Sequence, residues 1–193
     1  MKKVIAFIIV LCLFVPLLSV GASSSGINPT QGILVTGKTF CVQTDVYTDS
    51  PVYAIELKLK YDTTKLEPII TDEISAKDDY VYSVQGDGGG RVKSFVFSFK
   101  AKEKGVCNFT LYDVYYVDDT FTKRSVSGGT CSATISAAGD VNNDGEVNVL
   151  DLMALKRYLA GKNDIPYYIT ADFNGTGSIE AADLISLKKE ILK

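Results

Sequence analysis

The sequence DVNNDGEVNVLD, residues 140–151, decides the fold of the C-terminal part of this chain. Its first, third, fifth, ninth and twelfth positions carry oxygen-bearing side chains: Asp140, Asn142, Asp144, Asn148 and Asp151. Calcium takes about six to eight oxygen ligands, so one loop can wrap it only if alternate residues point inward and a glycine, here Gly145, permits the central turn. Glu146, at the seventh position, would contribute its backbone carbonyl. The spacing therefore predicts a calcium-binding loop.

The pattern returns as DFNGTGSIEAAD, residues 172–183, with Gly177 at the turn. Its candidate ligands stand at the corresponding positions: Asp172, Asn174, Thr176, Ser178, Glu180 and Asp183. A single Asp/Asn/Gly run is more often a polar turn, but two copies in register favour metal binding over that alternative. Thr176 offers a neutral oxygen where the first loop has Asp144, so we expect the second loop to bind calcium more weakly.

Each loop opens a predicted helix, and the two helices match in their apolar positions. These are Leu152, Leu155 and Leu159 in the first helix, and Leu184, Leu187 and Ile191 in the second. Spacings of three and four residues place each trio on one face. Val147 and Ile179, both eighth in their loops, are expected to join the loops as short strand pairs. Neither helix could bury its face alone, so the repeats predict one small paired domain.

A calcium loop followed by one helix, repeated about thirty residues later, with aspartate at the twelfth place, resembles the type I dockerin. The resemblance covers residues 139–193 and implies two EF-hand-like loop–helix repeats, two Ca²⁺ ions and a cohesin module of a scaffoldin as partner. It also implies that the tenth and eleventh loop positions and a basic pair on each helix contact cohesin. In this sequence those residues are Val149, Leu150, Lys156 and Arg157, and Ala181, Ala182, Lys188 and Lys189. The larger side chains of the first set predict one dominant binding orientation, through the first helix.

The chain begins with features of a secretory signal peptide over residues 1–22. Lys2 and Lys3 precede an apolar run, and Val20, Gly21 and Ala22 suit cleavage before Ser23. A membrane anchor would need about twenty apolar residues, and this run is shorter. We therefore expect a secreted, extracellular protein with no membrane span, either free or at the cell surface.

Residues 27–136 read as β structure. Runs of alternating apolar residues are separated by Gly, Asp, Asn and Pro, as in Phe40, Val42 and Val46 or in Ile55, Leu57 and Leu59. About seven short strands at this spacing predict an antiparallel, Ig-like sandwich. The expected fold is a mainly β sandwich followed by a small all-α calcium-binding domain.

Two segments of this sandwich, AIELKLKYDTTKLEP and SFVFSFKAKEKGVCNFTLYDVYYVDD, resemble a cohesin. The region between Pro68 and Val92 is expected to be too brief for the strands that a complete cohesin carries there, so the domain is expected to be a shortened cohesin. A fold like that of a carbohydrate-binding module is the alternative.

The composition excludes several activities. The chain has no histidine, so Ser-His-Asp and Cys-His nucleophilic systems are excluded. Asp113, Asp118 and Asp119 could form a carboxylate pair for glycoside hydrolysis, but solvated turns and strand edges explain them better, and we expect no enzyme. With 20 basic against 23 acidic residues, the chain is also a poor candidate for nucleic-acid binding.

Two further sets of residues leave alternatives open. A strip of exposed rings could bind polysaccharide, and the candidates are Tyr80, Tyr82, Tyr112, Tyr115 and Tyr116, although the chain has no tryptophan. Tyrosines in strands are more often packing residues.

Cys41, Cys107 and Cys131 follow the signal peptide, so at most one intramolecular disulfide can form. Cys107 and Cys131 could pair if they face the same core, and buried thiols are the equal alternative.

Together these features predict a secreted, non-catalytic cellulosome component with a role in polysaccharide degradation. The C-terminal domain would dock onto a scaffoldin in a calcium-dependent manner. The alternatives are a polysaccharide-binding sandwich delivered by the dockerin, and an adaptor whose cohesin-like domain binds a second dockerin.

Overall fold

The structure, a computed structural model, describes residues 24–29, 33–86 and 89–193, so the predicted signal peptide lies outside the described residues. Within these ranges, strands come first and helices follow. The strands are β1 (Ser24–Pro29), β2 (Ile33–Val35), β3 (Thr39–Tyr47), β4 (Val52–Lys60), β5 (Leu66–Ile69), β6 (Ser75–Lys77), β7 (Tyr80–Gly86), β8 (Val92–Ala101), β9 (Gly105–Asp118), β10 (Lys123–Val126) and β11 (Gly129–Ser136). The helices are α1 (Val149–Leu159), α2 (Tyr168–Ala171) and α3 (Ala181–Ile191).

The strands form two sheets. The smaller has the order β1-β3-β8-β5, and the larger has the order β2-β11-β9-β4-β7-β6. The short strand β10 pairs with residues 114–117, near the C-terminal end of β9. The pairing of β2 with β11 is parallel, and the other pairings between the described strands are antiparallel. The predicted inward residues are buried, each at most 5% exposed: Phe40, Val42, Val46, Ile55, Leu57 and Leu59.

The sandwich contains more strands than the seven or so that the sequence predicts. The additional ones, β2, β5, β6 and β10, have three or four residues each, which is too short for alternation to be visible. The region between Pro68 and Val92, which was expected to be too brief for the strands of a complete cohesin, contains two strands. Both β6 and the seven-residue β7 lie there, because the two-residue turn at Asp78 and Asp79, with φ 52° at Asp78, joins them.

Aromatic rings fill the centre of the sandwich. Phe99 is fully buried, and its ring centroid lies 5.9 Å from that of Phe40, 5.1 Å from Tyr61 and 5.6 Å from Phe109. Such clusters combine a large buried apolar area with favourable tilted ring geometry. The sandwich therefore has a core of its own, which includes no residue of the helices.

Cys107 and Cys131 are both thiols and do not form a disulfide with each other. They lie on adjacent strands, but Cys131 is opposite Phe109 and Cys107 is opposite Ala133. The Cys107 thiol donates to the Ala133 carbonyl at 3.4 Å. A diagonal placement separates the two β-carbons by more than a disulfide spans.

A second, smaller core lies between the helices. Leu155 of α1 and Leu187 of α3 are buried in it, with Val141 and Ala171. The other predicted core leucines and isoleucine, Leu152, Leu184 and Ile191, are partly buried against this cluster, as are Val147 and Ile179. Two expectations fail here. Leu159 is 37% exposed instead of buried, and Val147 and Ile179 belong to no strand, because they pack against the helices instead of pairing.

The connection between sandwich and helical unit is short and anchored. The Thr36 N–H donates to the Ser136 carbonyl at 3.0 Å, and the Ala138 N–H donates to Thr36 Oγ1 at 3.2 Å. The start of the helical unit is thereby tied to the turn that follows β2. None of the helices in the described ranges has the length and apolar character needed to cross a membrane.

Candidate metal loops and docking face

The first loop is folded around the carboxylates at its two ends. Asp140 Oδ1 accepts the Asp144 N–H and Oδ2 accepts the Gly145 N–H, both at 3.1 Å. At the other end, Asp151 Oδ1 accepts the Val141 N–H at 2.8 Å and the Asn142 N–H at 3.1 Å. The loop is therefore closed by bonds that join its first and twelfth residues to its backbone.

The second loop repeats three of these four bonds 32 residues later. Asp172 Oδ1 accepts the Thr176 N–H at 3.0 Å, and Oδ2 accepts the Gly177 N–H at 2.8 Å. Asp183 Oδ1 accepts the Asn174 N–H at 3.0 Å. The sequence repeat is thus also a repeat of local structure.

Backbone conformation repeats in the same way at two positions of each loop. The fourth residue is left-handed in both, with φ 59° at Asn143 and 72° at Gly175. The sixth is left-handed as well, with φ 91° at Gly145 and 82° at Gly177. Glycine adopts this region without steric cost, and asparagine tolerates it better than most residues. The two sharp turns let successive oxygen-bearing side chains approach one region.

Buried negative charge accumulates in these loops. Asp140 is 2% exposed, and both Asp151 and Asp183 are fully buried. Burial raises the pKa of the Asp140 carboxyl, and the nearby carboxylates of Asp151 and Asp144 raise it further. Calcium is the hard cation that carboxylate and amide oxygens bind, and it would relieve this repulsion. The donor set of the first loop therefore fits calcium.

The remaining candidate ligands are involved in local bonds. Asn148 Oδ1 caps α1 by accepting the Leu150 N–H at 2.8 Å, and the Asn142 side-chain amide donates to Asp144 Oδ2 at 2.7 Å. Thr176 donates to the Ser178 carbonyl at 3.2 Å. The Glu146 and Glu180 side chains are exposed. Among the described residues, no three acidic or cysteine side chains converge as a closed metal cage would.

The predicted partner-binding residues of α1 lie together on the surface. Val149 and Leu150 are 56% and 53% exposed, and Lys156 and Arg157 are exposed on the following turn. Sequence reasoning missed Met153, which is 45% exposed and lies about one turn from both Leu150 and Arg157. We call residues 149, 150, 153, 156 and 157 the first stripe.

The corresponding positions of α3 form a second stripe, defined as residues 181, 182, 185, 188 and 189. Its small residues Ala181 and Ala182 and its basic pair Lys188 and Lys189 are all exposed. Ile185, which sequence reasoning also missed, is 56% exposed and corresponds to Met153. The spacing of three from Leu150 to Met153 and from Ala182 to Ile185 was the available signal.

The tyrosines of the sandwich divide between its outer surface and its core. Tyr80, Tyr82, Tyr112 and Tyr115 are half-buried on the outer face of the larger sheet. Tyr116 is 1% exposed, so its prediction as a sugar-binding residue was wrong: it follows Tyr115 in β9 and points to the opposite side of the sheet. The Tyr80 ring lies at 53° to Tyr82 and at 83° to Tyr112. These rings do not form a flat strip.

The candidate catalytic carboxylates have structural partners. Asp113 forms an ion pair with Lys58 at 3.0 Å. Asp118, 1% exposed, organises the turn after β9 by accepting the N–H groups of Thr120 and Thr122, both at 2.9 Å. Asp119 is exposed in that turn. The ion pair of Asp113 and the turn bonds of Asp118 give each of these two carboxylates a structural role.

Comparison with known proteins places the two parts of the chain separately. The family described as "Dockerin type I domain" matches residues 138–192. No curated protein matches the chain.

Among solved structures, the cohesin module of a family 33 glycoside hydrolase from Clostridium perfringens is similar with a TM-score of 0.51 and 12% identity, covering 60% of this chain and 98% of that one. A non-cellulosomal cohesin from Archaeoglobus fulgidus is similar with a TM-score of 0.45 and 16% identity, covering 58% of this chain and 91% of that one. The first likeness shows that the sandwich has the cohesin fold. The chain thus combines a cohesin-like sandwich with a segment that matches the type I dockerin domain.

Proposed function

We propose that residues 139–193 form a calcium-dependent docking domain that attaches this chain to a cohesin module of an extracellular scaffoldin. The observation that carries the proposal is the duplicated loop–helix unit, in which each loop precedes an exposed stripe of small or apolar and basic residues. The match to the type I dockerin domain over residues 138–192 supports it. In this proposal, residues 27–136 are the attached sandwich, and residues 1–22 direct export.

Two calcium ions would occupy the loops. The side-chain ligands would be those at positions one, three, five, nine and twelve, and the carbonyls of Glu146 and Ser178 would bind at position seven. The buried carboxylates of Asp151 and Asp183, at the twelfth position of each loop, join the loops to the first turns of α1 and α3. Bound calcium would offset the repulsion between these carboxylates and so favour the orientation of helices that exposes both stripes.

The exposed stripes have the chemistry of a protein interface. Leu150 and Met153 would bury apolar area against the partner, and Arg157 at the end of the first stripe would pair with a carboxylate. The second stripe keeps the basic pair and Ile185 but replaces Val149 and Leu150 by alanines. We therefore expect binding mainly through the first stripe.

We propose that the chain has a structural role in an assembly that degrades polysaccharide. In this proposal the chain has no catalytic role. The sandwich itself has a second candidate function as an adaptor that binds another dockerin. The observation that favours it is the likeness of the sandwich to a cohesin module; on the outer face of its larger sheet, Lys58 Nζ lies 5.6 Å from the ring centroid of Tyr80 and 6.0 Å from that of Tyr112. Polysaccharide binding by this face is the weaker alternative, because crystalline polymers are bound by coplanar rings and these rings are steeply inclined to each other.

The test is titration calorimetry of the secreted chain against a panel of type I cohesin modules, with calcium and with chelator. We expect submicromolar binding to at least one cohesin, lost in chelator. The same chain is then titrated with isolated dockerins and incubated with insoluble polysaccharide. Binding that persists in chelator, or no binding to any cohesin of the panel, would contradict the proposal. Retention of a second dockerin by residues 27–136 alone would support the adaptor function.

A further inference from the structure

One end of the sandwich faces the two candidate calcium loops. It consists of the turn between β2 and β3, residues 36–38, and the turn between β8 and β9, residues 102–104. Backbone bonds join these turns: the Gly37 N–H donates to the Ala101 carbonyl at 2.8 Å, and the Ala101 N–H donates to the Lys38 carbonyl at 3.0 Å. The two turns therefore form one rigid surface.

Each of these turns places one lysine ammonium on one loop. Lys104 Nζ donates to the carbonyl of Gly145, the sixth residue of the first loop, at 2.8 Å. Lys38 Nζ lies over the second loop, where a β-carbon added to Gly175 would be only 2.7 Å from it. The sandwich thus contributes a positive charge to both loops.

The connection between the two units holds these lysines in place. The bonds of Thr36 to Ser136 and to Ala138 fix the start of the helical unit to the same turn that carries Lys38. The backbone positions of Lys38 and Lys104 relative to the loops are therefore set by the packing of the two units.

We propose that Lys38 and Lys104 lower the calcium affinity of the two loops, so that the sandwich acts as a built-in regulator of calcium binding. This inference rests on the proposed calcium-dependent function. The ammonium groups act in two ways: they offset repulsion among the loop carboxylates when calcium is absent, and they repel calcium when it enters. Both effects favour the calcium-free form.

The size of the effect follows from Coulomb's law. Near a protein surface, a unit positive charge repels a divalent cation that lies within about a Debye length of it. The repulsion energy is large enough to change the calcium affinity roughly two- to tenfold. The effect should shrink in high salt, because the Debye length falls from about 10 Å at 0.1 M to about 3 Å at 1 M ionic strength.

The experiment is a calcium titration of the secreted chain, residues 23–193, by calorimetry or by competition with a chelating dye. The variants are Lys104→Met, Lys104→Gln, Lys38→Met and the double variant Lys38→Met/Lys104→Met. The matched control is Lys102→Met, which lies in the same turn as Lys104 but donates to the Thr63 carbonyl of the sandwich at 2.7 Å.

We expect the double variant to bind calcium roughly two- to tenfold more tightly than the unmodified chain at low salt, with the difference much reduced in about 1 M salt. Lys104→Met and Lys104→Gln should behave alike, because both remove the charge, whereas only glutamine retains a donor. The control should bind as the unmodified chain does. Unchanged or weaker calcium binding by the double variant would overturn the inference while leaving the docking function intact. An unmodified chain that binds no calcium would overturn both.

Discussion

Asp151 Oδ2 accepts the N–H of Asn148 at 2.8 Å, so the fully buried last carboxylate of the first loop also caps the first turn of α1. Asp183 makes the equivalent bond to the Glu180 N–H, also at 2.8 Å. One side chain in each repeat therefore connects a candidate calcium ligand to the helix that carries a docking stripe. Calcium binding and helix orientation should be linked through these two residues.

The first prediction concerns the removal of metal. Chelator should lower the melting temperature of the helical unit and leave that of the sandwich unchanged, since the two have separate cores. A ligand present at about 100 times its dissociation constant stabilises the folded state by about 2.7 kcal/mol. Scanning calorimetry with calcium and with chelator measures this. Asp140→Ala should remove most of the calcium effect and Thr176→Ala less, because only the former removes a charged ligand. Equal melting curves with and without chelator would contradict the prediction.

The second prediction concerns the asymmetry of the stripes. At about 0.8 kcal/mol per buried CH₂, Leu150→Asp should weaken cohesin binding by roughly 1 to 3 kcal/mol more than Ala182→Asp does. Met153→Asp should likewise exceed Ile185→Asp. Titration calorimetry with a cognate cohesin provides the comparison, and Val84→Asp, at a 61% exposed position of the sandwich strand β7, is the control. Equal losses from the two stripes would indicate two interchangeable orientations.

The third prediction concerns acid stability of the sandwich. Bonds from the Thr120 hydroxyl, and then from the Arg124 guanidinium, hold the pKa of the Asp118 carboxyl well below its ordinary value. A group whose folded-state pKa is lowered contributes stability above its unfolded pKa, near 3.9, and loses that contribution as the pH falls. Asp118→Asn should therefore lower the melting temperature of the sandwich clearly at pH 7, and the difference should narrow between about pH 5 and pH 2. Thermal melts at several pH values test this. A difference that stays constant with pH would show that the carboxylate charge is not involved.

The fourth prediction concerns two of the three thiols of the sandwich, those of Cys107 and Cys131. Burial raises the pKa of the Cys131 thiol to about 11 and also raises that of Cys107. The thiolate is the reactive form, so both should react slowly at pH 8 while the protein is folded. In a Cys41→Ser background, a thiol reagent should label both residues rapidly only in denaturant, and their labelling rate should follow the unfolding of the sandwich. Fast labelling under native conditions would contradict this.

Much of the candidate site could be predicted from sequence because its information is local. A twelve-residue calcium loop has its ligands at set spacings, and the 32-residue repeat made the second loop recognisable despite Thr176. The inward residues of β3 and β4 were predicted for a similar reason: alternation over nine residues determines which face of a strand is buried. The buried face of β3 and of β4 therefore follows from the side chains of each strand.

Other features depended on contacts between distant segments, and only the tertiary structure decided them. The short strands β5 and β6 form by pairing with β8 and β7, respectively, and show no pattern of their own. Tyr116 is buried while its neighbour Tyr115 is half-exposed, because the pleat of β9 and its pairing with β4 set which ring faces the core. Lys104 and Gly145 are 41 residues apart in the chain, and neither belongs to a motif that includes the other. Sequence spacing determines which residues can bind an ion within one loop, whereas the packing of two units determines which charges lie beside it.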